Sequence, residues 1–176
     1  MINIIVEGQT DKALVKKLLA PKKEKIDFEF LGLDGYSSVI KTIETLTDKD
    51  LGENIYFAIV DADNSFEARN KEMQSKIGTK NIDYYILPNH KDSRDLETLI
   101  LNIIGDNVII NCFNTYKKCI ETEYPDCQID NKAKLYAYTT IEHKKRPEKY
   151  IEEDLDTEHE SFRDLKQKLQ NLFGGT

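Results

Sequence analysis

The first hundred residues alternate short apolar runs with stretches in which apolar residues recur at helical spacing. Four apolar runs predict strands, over residues 2–6, 26–31, 55–60 and 84–87. Helical spacing between these runs predicts three helices, over residues 11–19, 36–46 and 66–77. The order βαβαβαβ is typical of a mainly parallel sheet with helices on its faces, because strands that are buried on both faces are apolar throughout. We therefore predict an α/β fold.

From Asp95 onward the pattern becomes helical. Apolar residues at helical spacing predict helices over residues 96–104, 108–121, 132–141 and 162–173. The charged stretch 142–160 is predicted to be a loop or mobile segment, since Pro147 would break any helix that ran through it. The chain contains no Gly/Ser linker and no internal repeat. We therefore expect residues 1–104 to form the α/β core and residues 105–176 a helical extension packed on the same domain.

Composition and charge narrow the choice of partners. Hydrophobic residues make up 39% of the chain and charged residues 32%, as in many globular proteins. No apolar run approaches the roughly 20 residues that span a bilayer, and residues 1–7 do not resemble a signal peptide. We expect a cytoplasmic protein without a membrane partner. The net charge of -7 argues against a broadly basic nucleic-acid clamp, although a bound divalent cation and local basic clusters could still hold nucleic acid.

Two acidic residues, Glu7 and Asp11, flank the turn after the first predicted strand. In α/β sheets the ligand crevice lies at the carboxyl ends of the strands, where Glu7 is placed. Gly8 allows a tight turn there, and Thr10 is the expected N-cap of the next helix. From its position alone, Glu7 is equally well explained as the first solvated residue after the strand. Asp11 is either a further ligand or a favourable charge at a helix N-terminus, and we favour the second explanation.

Asp61 and Asp63 follow the third predicted strand. Two acids at positions i and i+2 of an extended chain lie on one side, where their charges repel unless a cation or a proton intervenes. Hard divalent cations such as Mg²⁺ prefer oxygen ligands of this kind. A cap on the following helix would explain Asp63 or Asn64, but it would not explain the pair.

Other motifs fail on spacing. Residues 61–65 with Glu72 mimic a calcium loop of the EF-hand type, but Phe66 occupies the position of the required glycine and an apolar strand replaces the entering helix. The sequence contains neither a Walker A loop nor a Gly-x-Gly-x-x-Gly motif, and its three histidines are scattered. These classes of site are therefore not expected.

Three segments carry a family resemblance. The segment Ile4-Ile5-Val6-Glu7-Gly8-Gln9-Thr10-Asp11 resembles the glutamate motif of TOPRIM domains, the module that topoisomerases, primases and OLD-family nucleases share. Ile59-Val60-Asp61-Ala62-Asp63 is similar to the Asp-x-Asp motif, and Leu33-Asp34-Gly35-Tyr36 resembles the glycine-containing turn after the second strand. Leu87-Pro88 followed by residues 95–99, together with residues 130–138 and 162–173, further resemble a family of small, stand-alone TOPRIM-like proteins related to the OLD nucleases. The resemblance implies a Rossmann-like TOPRIM fold.

The resemblance also implies roles for individual residues. Glu7 would be a metal ligand or general acid/base, and Asp61 and Asp63 would be ligands of Mg²⁺ (or Mn²⁺), so these three are the expected catalytic residues. Glu97 would be a further acidic residue near the same crevice, available to a second metal; two metals about 4 Å apart clamp the attacking and leaving oxygens of a phosphoryl displacement. The candidate contacts to phosphate or nucleic acid are Lys91, Arg94 and Lys132.

Three functional hypotheses follow. The first is metal-dependent cleavage or other phosphoryl transfer on nucleic acid, in phage defence or DNA repair, by the chain alone, as a homodimer, or with a separately encoded partner protein. The second is a non-catalytic regulator that binds metal or a nucleotide and acts with a partner protein. The third is a receiver-like phosphoacceptor at Asp61. Receivers usually carry two neighbouring acids after the first strand, whereas this chain has the single Glu7 there.

Overall fold

A computed structural model of the chain describes residues 1–20 and 28–174. The described strands form one sheet in the order β2-β1-β3-β4, and all neighbouring pairs are parallel. They are β1 (Ile2–Val6), β2 (Phe28–Gly32), β3 (Ile55–Asp61) and β4 (Ile82–Leu87). The predicted α/β fold with a parallel sheet flanked by helices is confirmed. Ile26, which was assigned to the second strand, lies outside the described residues.

Helices connect the strands of the sheet. They are α1 (Gln9–Leu19), α2 (Tyr36–Thr45), α3 (Asp48–Glu53) and α4 (Phe66–Ile77). The sequence pattern did not predict α3, because none of its six residues is buried and it therefore has no apolar face. Capping defines this helix instead: the Thr47 side chain accepts a hydrogen bond from the backbone N–H of Asp50, at 3.3 Å.

The chain after β4 is helical, as predicted. Its helices are α5 (Leu96–Ile104), α6 (Val108–Glu123), α7 (Asn131–His143), α8 (Pro147–Glu153) and α9 (Arg163–Gly174), with a 3-10 turn at Glu160–Phe162 before α9. None of the described helices is both long and apolar enough to cross a membrane.

Helix α8 corrects the expectation that residues 142–160 form a loop. Pro147 lies in the first turn of α8, where a missing N–H group costs no intrahelical hydrogen bond. Tyr150 and Ile151 then face the core and are buried. Pro147 separates α8 from α7, as a helix breaker should, but it also begins a new helix.

Two apolar cores lie on opposite faces of the sheet. On one face, Ile5, Ala58 and Val60 pack with residues of α2 and α4. On the other face, Ile4, Val6 and Ile59 share a cluster with residues of α1, α5, α7, α8 and α9. The C-terminal helices therefore cover the same face of the sheet as α1, and β1 and β3 are mostly apolar because both of their faces are buried.

The strand order creates a switch point between β1 and β3. The chain passes from β1 to β2 on one side of β1 and then returns to place β3 on the other side. Val6, at the end of β1, pairs with Gly32 of β2 and with Ile59 of β3. In open α/β sheets, ligands bind in the crevice outside the carboxyl ends of the strands at such a reversal.

Candidate functional site

A cleft of about 450 Å³ opens at the carboxyl ends of β1 and β3. Eight of the described side chains that line it are carboxylates. Four of them are the predicted metal ligands Glu7, Asp61, Asp63 and Glu97. The other four are Asp11, Asp95, Asp130 and Glu148. Among the described residues that line the cleft, Lys132 is the basic one, so the cleft carries a large excess of negative charge.

Glu7 is fixed between the ends of the neighbouring strands. Its Oε1 atom accepts a hydrogen bond from the backbone N–H of Asp61, at 2.8 Å. Its backbone carbonyl accepts another from the N–H of Gly35, at 2.7 Å. Burial raises the pKa of the Glu7 carboxyl, while the hydrogen bond from Asp61 and the charge of Arg69 act in the opposite direction. These contacts distinguish Glu7 from a residue that is merely solvated after a strand.

Asp61 is the last residue of β3 and links this strand to α5. Its Oδ1 atom accepts a hydrogen bond from the backbone N–H of Leu96, at 3.0 Å. Burial raises the pKa of the Asp61 carboxyl well above its ordinary value, and the negative charges of Asp11 and Glu7 raise it further. The ionised form of Asp61 is therefore costly unless a cation lies nearby.

Asp63 differs from the other predicted ligands. The backbone at Asp63 has a φ of 49°, so the chain has left the extended conformation on which its alignment with Asp61 was predicted. Its side chain is 56% exposed, and it forms an ion pair with Arg69 at the edge of the cleft. The suggestion that Asp63 or Asn64 caps α4 is wrong, because the Ser65 side chain accepts the capping hydrogen bond from the N–H of Ala68, at 3.2 Å.

Asp11 lies in the first turn of α1 and is only 6% exposed. Its Oδ2 atom accepts a hydrogen bond from the backbone N–H of Gly8, at 2.9 Å. The predicted N-cap at Thr10 is wrong, since α1 begins at Gln9 with Gly8 as its N-cap. Burial raises the pKa of Asp11 to about 7, and the charges of Glu7 and Glu97 contribute to this rise. Asp11 therefore stabilises the turn and also adds a buried acid to the cleft.

Glu97 reaches the cleft from the first turn of α5 and is 8% exposed. Burial raises its pKa, the charge of Asp95 raises it further, and Lys132 acts in the opposite direction. Asp95 fixes the start of α5, because its Oδ1 atom accepts a hydrogen bond from the N–H of Thr98, at 2.7 Å. The structure thus brings Glu97 to the same cleft as Glu7 and Asp61.

Comparison with known proteins gives a family for the chain. Residues 2–174 match the model of the family described as DUF3226, protein of unknown function. The chain belongs to the DUF3226 family. No curated protein and no solved structure matches it.

The predicted basic residues of the DUF3226 protein lie in different places. Lys132 lines the cleft. Arg94 lines a separate cavity beside the loop that follows β4, and Lys91 is exposed on that loop. Arg69 was not predicted, although its guanidinium contacts both the carbonyl of Asp61 and the carboxylate of Asp63. Nothing in the sequence distinguished Arg69 from the other charged residues of a mostly polar helix.

Three acids of the cleft were also not predicted. Asp95 and Asp130 cap α5 and α7, and a preference of aspartate for the N-cap was available as a signal at both positions. Glu148 enters the cleft from α8. No signal pointed to Glu148, because its segment was expected to be a loop.

The carboxylates of the cleft are ligands of the type that a hard divalent cation prefers, although the described side chains do not converge on one point. Within the described residues, no three His, Cys, Asp or Glu side chains converge closely enough to hold a metal ion as they stand. Glu7 and Asp61 each use one carboxylate oxygen to accept a backbone N–H, and the second oxygen accepts no hydrogen bond from a described residue. Carboxylate oxygens are the ligands that Mg²⁺ and Mn²⁺ prefer. The residues fit such a cation by their chemistry.

Proposed function

We propose that this DUF3226 protein is a TOPRIM-type protein that performs Mg²⁺- or Mn²⁺-dependent phosphoryl transfer on nucleic acid, as a nuclease. One observation carries the proposal: Glu7 and Asp61, at the ends of adjacent strands, share a hydrogen bond in a cleft where Asp11 and Glu97 are also buried. Four acids in such a space repel one another unless protons or a cation neutralise them. A divalent cation held by oxygen ligands satisfies this requirement at neutral pH.

Glu7, Asp61, Glu97 and Lys132 are the residues of the cleft that act in this proposal. Glu7 and Asp61 hold the cation through the oxygens that no backbone group occupies, and Glu97 extends the site. When bound, a divalent cation stabilises the charge on phosphoryl oxygens and lowers the pKa of a water nucleophile. Lys132, on the rim contributed by α7, contacts a phosphate of the substrate.

A second candidate is a non-catalytic regulator that binds a metal or a nucleotide and acts with a separately encoded partner protein. The scarcity of basic side chains favours this regulator, since Lys132 is the one basic side chain among the described residues lining the cleft. Nucleic-acid affinity normally rests on several Lys and Arg contacts to phosphate. A cleft of this charge binds a cation more readily than it binds a polyanion.

A cleavage assay tests the proposal. The purified protein, with Mn²⁺ or Mg²⁺, is incubated with supercoiled plasmid, single-stranded DNA and RNA. We expect nicking or cleavage, and we expect Asp61→Asn to reduce its rate at least about 100-fold, since even second-shell changes at metal sites cost 10- to 100-fold. Asp83→Asn is the matched control, because Asp83 is an exposed acid on β4 that faces Lys168. Metal binding without cleavage of any of these substrates would contradict a nuclease and support the regulator.

A further inference from the structure

Arg69 lies behind the cleft and is held by several contacts at once. Its side chain is only 12% exposed, and its Nε atom donates to the backbone carbonyl of Asp61, at 2.9 Å. Its Nη1 atom donates to Glu72, at 3.4 Å, and its guanidinium lies 3.5 Å from the centre of the Tyr36 ring. A planar guanidinium is suited to this combination of hydrogen bonds and stacking. Arg69 therefore joins the end of β3 to the start of α2.

The remaining contact of the guanidinium is with Asp63. The Nη2 atom of Arg69 donates to the Asp63 carboxylate, which is the exposed member of the four predicted ligands. Water screens the pair on the side of Asp63, whose side chain is 56% exposed. When the pair breaks, the largely buried Arg69 keeps its hydrogen bonds to the Asp61 carbonyl and to Glu72, because these do not depend on Asp63.

The position of Asp63 also limits the repulsion in the cleft. Glu7, Asp11, Asp61 and Glu97 already bring four carboxylates together. Without a cation, a fifth carboxylate that turned toward these four would be repelled by them. With a bound cation whose coordination shell is incomplete, the same carboxylate would be attracted as a further ligand. The pairing of Asp63 with Arg69 keeps this carboxylate at the edge of the cleft.

We propose that Asp63 exchanges partners: it pairs with Arg69 in the metal-free protein and turns to a divalent cation once Glu7 and Asp61 bind one. Arg69 is then a positioning residue: it competes with the cation for the Asp63 carboxylate and so lowers the affinity of the site for metal. The proposal rests on the metal site of the proposed function.

A double-mutant cycle on Mn²⁺ affinity tests the exchange. Isothermal titration of Mn²⁺ is performed on the wild type, Arg69→Met, Asp63→Asn and the double variant. Methionine keeps a long unbranched side chain to pack on Tyr36 but removes the charge. We expect Arg69→Met to bind Mn²⁺ about fivefold more tightly, since the competing ion pair is gone. In the Asp63→Asn background the same change should alter the affinity by less than about twofold, because no carboxylate is left to release.

The control is Lys76→Met, on the same helix α4, whose partner Glu44 lies 2.7 Å away. It should leave Mn²⁺ affinity unchanged. If Arg69→Met does not fold by circular dichroism, Arg69→Lys takes its place, with an expected gain of about twofold. An equal gain in both backgrounds, or weaker binding after loss of Arg69, overturns the exchange and leaves the metal site standing. A wild type that binds no Mn²⁺ overturns the metal site and the exchange together.

Discussion

Asp11, Asp61 and Glu97 are carboxyl groups in a part of the protein where burial and other acids determine their charge. Burial is the largest cause of the raised pKa at each of them, and neighbouring carboxylates raise the pKa further. Ionisation of such acids is costly unless a positive charge compensates for the loss of water. Proton binding and metal binding should therefore compete in the cleft.

The pKa of Asp11 predicts how stability depends on pH. The folded protein holds the Asp11 proton with a pKa of about 7, whereas the ordinary value is 3.8. Because the folded state binds this proton more tightly than the unfolded state, its contribution is full below about pH 4 and is lost as the pH rises to about 7. In EDTA, Asp11→Asn should remove part of this dependence, on the order of 2 kcal/mol between pH 5 and pH 8. Urea denaturation at the two pH values measures it.

Asp126→Asn serves as the control for this experiment, because Asp126 is exposed and lies outside the residues that line the cleft. It should change the free energy of unfolding equally at both pH values. A pH dependence in Asp11→Asn equal to that of the wild type would show that Asp11 does not titrate as its burial indicates.

Individual residues were predictable from the sequence where a strand end determined their position. Glu7 and Asp61 follow apolar runs, and the carboxyl ends of parallel strands meet at one edge of the sheet. The pairing of Asp63 with Arg69 was not predictable in the same way. It depends on a left-handed backbone conformation at Asp63, which residues other than glycine adopt infrequently and which the spacing of acids does not reveal.

The junction of β1 and β2 shapes the turn that holds Glu7. Gly32, at the end of β2, has a φ of 89°, and a Cβ atom added there would lie 2.5 Å from the carbonyl oxygen of Val6. The next residue, Leu33, donates its N–H to that same oxygen, at 2.9 Å. The loop then reaches Gly35, whose N–H donates to the carbonyl of Glu7. The close approach of these two strand ends therefore requires glycine at residue 32.

The close approach of the ends of β1 and β2 predicts that alanine changes the free energy of unfolding very differently at Gly32 and at Gly52. Gly32→Ala should lower the free energy of unfolding by at least about 2 kcal/mol, from the left-handed backbone and the contact with Val6. Gly52→Ala, in α3, should leave it unchanged or raise it by about 0.5–1 kcal/mol, because a Cβ atom there meets nothing within 4 Å and glycine disfavours helices. Urea denaturation of both variants measures the two changes. Similar effects at the two positions would contradict the account of the β1–β2 junction.

Whole elements were predictable where apolar residues recurred at helical spacing. Helix α4 has the predicted bounds 66–77, and α5 has the predicted bounds 96–104. Helix α3 has no buried residue and therefore no periodic pattern. Helix α8 is short, and its proline was interpreted as a breaker, although proline is favoured in the first turn of a helix. Apolar periodicity thus identified the longer helices and did not identify the short helices α3 and α8.

The cleft as a whole is assembled from distant parts of the chain. Glu7 and Asp61 are 54 residues apart in sequence, and Lys132 and Glu148 come from the helices that follow the sheet. The sequence predicted a parallel sheet, but the order of its strands depends on the side of β1 to which each connection returns. That choice results from packing between elements and leaves no pattern within a single segment. The contribution of α7 and α8 to the cleft depends on the same packing.

Anomalous diffraction from crystals grown with excess Mn²⁺ tests the central claim, that the acidic cleft of this DUF3226 protein is a metal site. We predict a Mn²⁺ peak in the cleft, with oxygens of Glu7 and Asp61 about 2.1 Å away and with Asp63 turned from Arg69 toward the ion. A map in which the side chains of the cleft are ordered, and in which Mn²⁺ is found only elsewhere or not at all, would contradict the claim.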